Sequence, residues 1–213
     1  MRHLFLTVAL SILVTAAAAA GIDDAIAAYE RGELAAAQSA FTRLARTGVP
    51  AADYNLAVMH LRGEVPHASA REALRLMTRA ANAGFVTAIY GLGQLHELGQ
   101  AGLPINLPEA NRWYLRAAEA GSVDGQVAIA TAHYLGRGAA KDASLAAHWY
   151  RIAAQGGDVG AMYIYASMAE TGDGVAQDLN EARYWYQAAA RNGDEAAPSK
   201  LKEIEARLGA PGS

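Results

Sequence analysis

The stretch RWYLRAAEAG, residues 112–121, returns as HWYRIAAQGG at 148–157 and as YWYQAAARNG at 184–193. A stretch that recurs at nearly constant distance marks a structural period, and such a period decides the fold before any single residue does. The glycines that close it belong to a longer series, Gly48, Gly84, Gly121, Gly157 and Gly193, at intervals of 36, 37, 36 and 36 residues. A second series, Gly63, Gly99, Gly136 and Gly172, stands 15 residues after each of the first four. The one longer interval places its extra residue in GQAG (99–102), where later units read GRG (136–138) and GDG (172–174). Insertions of this kind are tolerated in loops.

Between the landmarks each unit reads as two helices. The first follows the closing glycine with a polar cap such as Ser122 or Asp158, and its apolar residues recur at three- and four-residue spacing: Ala52, Leu56, Met59; Ala88, Leu92, Leu95; Ala161, Tyr165, Met168. The glycine 15 residues on ends that helix, as a residue free to turn left-handed can. The second helix starts near Ser69, Asn106, Asp142 or Asp178, with Pro108 in a first turn where its missing N–H costs little. Trp113, Trp149 and Trp185 each stand four residues before an alanine, and the expectation is that they fill the gap between the helices of a unit while the alanine pairs admit the next unit. After Gly193, Leu201, Ile204 and Leu208 share one face of a last, charged helix suited to capping a solenoid.

This pattern resembles the Sel-one-like repeat family, relatives of the tetratricopeptide repeat. Leu92-Gly93, Gly172-Asp173-Gly174-Val175, Asp178, Trp185-Tyr186, Ala189-Ala190 and Gly193 match the family's signature closely, and the resemblance covers about residues 51 to 193. It implies an all-α, right-handed α-α superhelix of about five helix pairs plus a C-terminal capping helix. The units expected are a divergent first one at 21–48, with Ala40-Phe41 in place of Trp-Tyr, then 49–84, 85–121, 122–157 and 158–193, with the cap and tail at 194–213. The second unit has Leu76-Met77 in that place.

With 53% hydrophobic residues the chain has the composition of a core-forming protein, and no low-complexity linker separates domains, so one continuous folded body is expected. A net charge of -3 gives no basic excess for nucleic acid. Arg2, the apolar run Leu4–Val14 and the small residues up to Ala20 read as a cleavable secretory signal at 1–20. At 17 residues, Leu4–Ala20 falls short of the roughly 20 a spanning helix needs. The absence of cysteine removes thiol catalysis and thiolate metal sites, and the expected location is the periplasm.

Candidate chemistry is sparse. His60, His96 and His133 hold one register, twelve residues after a closing glycine, where packing or hydrogen bonding explains them more simply than a shared metal. HELGQ at His96 lacks the second histidine of a zinc-protease motif. SKLK at Ser199 matches S-x-x-K, and some cysteine-rich relatives of the family are linked to β-lactam hydrolysis, but the companion S-D-N and K-T-G motifs are missing. No catalytic residue, metal or cofactor is therefore expected.

What remains is a surface. The resemblance implies that the first helix of each unit lines the concave side, where partners lie. Residues off its buried stripe are the candidates: Tyr54, Tyr90 and Tyr163 in one row; Gln94, Thr131 and Ser167 in the next; and Arg62, Glu97, Tyr134 and Glu170 toward the helix end. Tyrosines among hydrogen-bonding groups suit a protein or peptide partner, in an adaptor or regulator of an envelope or signalling assembly. A cell-wall glycan stacked on the rings is the alternative.

Overall fold

The computed structural model describes residues 20–209, which are helix and turn with no strand among them. The expected signal segment lies outside the described residues, apart from Ala20. The chain folds as two compact halves, the first ending at Pro104 and the second beginning at Ile105. The division falls in the one connection lengthened by an extra residue, where Ala101 takes a positive φ of 55° and Pro104 withholds a backbone N–H.

The first half holds α1 (20–30), α2 (Leu34–Arg46), α3 (Pro50–Arg62), α4 (Ala70–Asn82) and α5 (Val86–Leu98). The second holds α6 (Leu107–Glu119), α7 (Val123–Leu135), α8 (Ala143–Gln155), α9 (Val159–Thr171), α10 (Leu179–Arg191) and α11 (Ala197–Leu208). From α2 to α5, and again from α6 to α11, each helix packs on the one before it. α4 and α6 to α10 are each 13 residues long, about 20 Å at 1.5 Å per residue. Helices this short are marginal alone in water, so packing must hold them.

The packing repeats with the sequence. Phe41, Met77, Tyr114, Tyr150 and Tyr186 occupy one register position and are exposed by 0, 3, 4, 2 and 0%. Alanines three or four residues on, such as Ala80-Ala81, Ala117-Ala118 and Ala153-Ala154, are buried beside them. The tyrosine of each Trp-Tyr pair thus takes the place expected for the tryptophan. One residue earlier on a helix is a rotation of about 100°, which carries Trp113 and Trp149 to a half-buried flank. Trp185 is buried, edge-on to Tyr165 with ring centroids 6.0 Å apart.

Both glycine series are left-handed turns. Gly63, Gly99, Gly136 and Gly172 have φ of 72°, 64°, 71° and 76°, and the next residue's N–H returns to the carbonyl of Met59, Leu95, Ala132 or Met168. Side chains of Ser69, Asn106, Ser122, Asp142, Asp158 and Asp178 cap the following helices by accepting backbone N–H bonds. The second glycine of the GxG loop is a joint: a Cβ on Gly138 would fall 2.5 Å from Leu107 Cβ, and one on Gly174 would strike the carbonyl of Ala143. Each loop therefore seats on the first turn of the preceding second helix.

α11 closes the second half. Ile204 is fully buried, Leu201 and Leu208 pack at the edge of the same core, and Asp194 caps the helix through the N–H groups of Ala196 and Ala197.

The joint yields a prediction. Gly174→Ala, which meets both a left-handed φ of 74° and the Ala143 backbone, should cost about 3 kcal/mol or more in denaturant unfolding. Gly193→Ala, with a φ of 94° but open space around it, should cost only about 1 kcal/mol.

Candidate functional site

In the second half, the first helices of two successive repeats flank a cleft of about 200 Å³. Tyr134 comes from α7, Tyr163, Ser167 and Thr171 from α9, Tyr150 from α8 behind them, and Asp173 from the following loop. The buried register supplies Tyr150 to the lining of the cleft and sets Tyr186 against Tyr163. Tyr134 stands edge-on to Tyr150 with centroids 6.4 Å apart, and Tyr163 edge-on to Tyr186 at 5.2 Å. Thr131 gives its hydroxyl proton to the Val127 carbonyl at 2.8 Å and so receives the Tyr150 O–H at 2.9 Å. Lys141 holds its ammonium 5.9 Å from the Tyr134 ring centre, within cation–π range. The result is a cleft with rigid aromatic walls and hydroxyls at its edge.

Three of the expected surface residues, Tyr134, Tyr163 and Ser167, meet in this cleft, and Thr131 supports its back wall. Glu170 does not face a partner. Its side chain is only 11% exposed, and its carboxylate accepts the Tyr186 O–H at 2.9 Å and Arg207 at 2.8 Å, with Lys200 at 4.0 Å. It fastens the capping helix. The first half arranges its candidates differently: Tyr54 packs against Phe85 at 5.4 Å, and Arg62 donates to the Tyr29 hydroxyl at 2.6 Å, which in turn donates to Glu64. Tyr90 and Glu97 are half-buried and Gln94 is exposed.

Tyr150, Thr171 and Asp173 were not among the sequence candidates. Tyr150 belongs to the Trp-Tyr signature and reads as core, while Thr171 and Asp173 sit in the turn that reads as punctuation. The place of Thr171 one turn beyond Ser167 was the available signal.

Two histidines of the row, His60 and His133, fasten helix to loop. His60 Nδ1 accepts the Ser69 N–H at 3.2 Å, so its neutral ring carries the proton on Nε2; His133 Nδ1 faces the Ala140 carbonyl at 3.3 Å and donates to it. No group of three His, Cys, Asp or Glu side chains among the described residues is placed to hold a metal ion. In SKLK, Ser199 is exposed and the Lys200 ammonium sits 2.9 Å from Glu203, which together with Glu170 raises its pKa and keeps it charged. It is not poised as a base.

Two deeper tyrosines are strongly perturbed. Burial, reinforced by its bond to Glu181 at 2.9 Å, pushes Tyr165 up to about 12, and burial and Glu170 push Tyr186 higher still.

Four matches to the Sel1 repeat model cover residues 50–85, 86–122, 123–158 and 159–194, each beginning one residue later than the unit counted from its closing glycine. Among solved structures, a protective antigen of uropathogenic Escherichia coli strains displaying an SLR fold is 26% identical with a TM-score of 0.80, over 92% of this chain and 43% of the antigen. A Sel1 repeat protein from Oxalobacter formigenes is 31% identical with a TM-score of 0.73, over 79% of this chain and 49% of that one. The chain thus spans less than half the length of either relative. No curated protein is a significant match. No helix among the described residues is long and apolar enough to cross a membrane.

The tyrosine shifts carry a pH consequence. Because the folded-state pKa of Tyr165 lies above the ordinary value of 10.0, its contribution is complete below pH 10 and is lost as pH rises toward about 12. Urea unfolding between pH 9 and 12 should show that loss, and Tyr165→Phe should flatten it.

Proposed function

The chain belongs to the Sel1 repeat family, and on that premise we propose that it is an exported, periplasmic interaction module that grips a protein partner through the cleft between α7 and α9. Sel1 repeats form a non-catalytic scaffold and in general mediate protein binding. The observation that carries the reading is the cleft itself: Tyr134 and Tyr163 on neighbouring first helices, held edge-on by Tyr150 and Tyr186, with Ser167 and Thr171 between them. Tyrosines fixed in this way offer large contact area at little entropic cost, and hydroxyls beside them orient a peptide backbone. No residue acts as a catalyst in this role. Export rests on the Arg2, Leu4–Val14 and alanine pattern, and the protein serves as an adaptor or regulator of an envelope or signalling assembly.

Replacing Ser167 with a photo-crosslinking amino acid should trap a partner of defined mass in the periplasm of the producing cell. The same replacement at Gln187, exposed on α10, should not. Tyr134→Ala should weaken capture by about tenfold or more. Equal adducts from Ser167 and Gln187, or capture indifferent to Tyr134→Ala, would contradict the assignment.

A further inference from the structure

The first half carries a second groove, of about 220 Å³, bounded by α2 and α4 over α3. Its walls are polar. α2 contributes Gln38, Thr42 and Arg46 at four-residue spacing, hence along one face, and α4 contributes Glu72, Arg75 and Arg79. Two of the three guanidiniums are already oriented: Arg75 makes a two-pronged pair with Glu72, and Arg79 another with Asp53, whose side chain is only 5% exposed. Arg46 is exposed and makes no ion pair among the described residues. With two acids set against three arginines, one positive charge is left uncompensated, on a chain whose net charge is -3.

A repeat protein supplies its own control, because what the architecture needs recurs in each unit. The residues in register with Arg46, Arg75 and Arg79 are Asn82, Arg112 and Arg116; then Glu119, His148 and Ile152; then Gln155, Tyr184 and Ala188. Individual arginines recur, but the all-arginine triplet occurs once. The residues in register with Asp53 are Ile89, Gln126 and Met162, so the scaffold does not require a buried carboxylate there. Asp53 is explained by what it holds, the Arg79 guanidinium at the groove wall.

We propose that this groove receives an acidic segment of a partner protein, its carboxylates taken by Arg46, Arg75 and Arg79. Guanidinium forks match carboxylates two bonds at a time. The groove also has length: Gln38 and Arg46 lie eight residues apart on α2, about 12 Å at 1.5 Å per residue, enough for three or four extended residues at about 3.3 Å each. An isolated small anion would occupy only part of it. The groove is separate from the α7–α9 cleft, and the two assignments stand or fall independently.

The test is calorimetric titration of the full chain with N-acetyl tetraglutamate amide, alongside its tetraglutamine counterpart and inorganic phosphate. The acidic peptide should bind, more weakly as salt rises, and Arg46→Ala should reduce affinity about tenfold. Glu72→Gln should raise affinity several-fold by releasing Arg75. No binding at millimolar peptide, equal binding of the glutamine peptide, an unchanged affinity in Arg46→Ala or a weakened one in Glu72→Gln overturns the proposal. Phosphate that displaces the peptide at equal concentration overturns the peptide as occupant.

Discussion

One large side chain on each second helix, buried between alanines, is the contact on which the architecture depends. A 13-residue helix does not persist alone, so each must bury a face against its neighbour. Phe41, Met77, Tyr114, Tyr150 and Tyr186 fill the space between helices, and the alanines beside them keep the next helix close. Burying one such side chain contributes on the order of 2 kcal/mol, and the sum is distributed along the chain because each contact is only between neighbours. The tyrosines add a polar anchor. Tyr150 bonds to Thr131 and Tyr186 to Glu170, which fixes the direction of each ring and so the walls of the α7–α9 cleft.

The glycine phases were legible because they are local: a left-handed residue ends a helix whatever lies around it, and the period follows from counting. The caps at Ser69, Asn106, Asp142 and Asp178 were legible for the same reason. Which member of Trp-Tyr faces inward was not, because both are large and apolar and the choice depends on where the neighbouring helix sits. The division at Pro104 falls in the connection that the sequence marks by an inserted residue and by Gly102 and Pro104. Glu170 was misplaced because its partner Arg207 lies 37 residues away, on a helix whose charges read as a solvated face. Arg62 had the same difficulty: it is engaged with Tyr29, 33 residues distant.

Repetition separates what holds the protein together from what it can use. The glycine turns, polar caps and buried knobs recur in unit after unit, and their loss disturbs the fold. The α7–α9 cleft and the α2–α4 groove add to these recurring residues some positions that change between units, Thr171 against Leu98 and Leu135, Asp53 against Ile89 and Met162. Substitution at such positions leaves the helix contacts intact, which is how a solenoid can carry different surfaces on one frame.

The Asp53–Arg79 pair puts this division to its most direct test. A buried ion pair adds little net stability when apolar residues of similar size can replace it, and the fifth repeat shows which ones, Met162 and Ala188. The double variant Asp53→Met, Arg79→Ala should unfold in urea within about 1 kcal/mol of the parent protein. A loss of about 3 kcal/mol or more would show that the pair holds the scaffold, and that non-recurring positions are not free for binding.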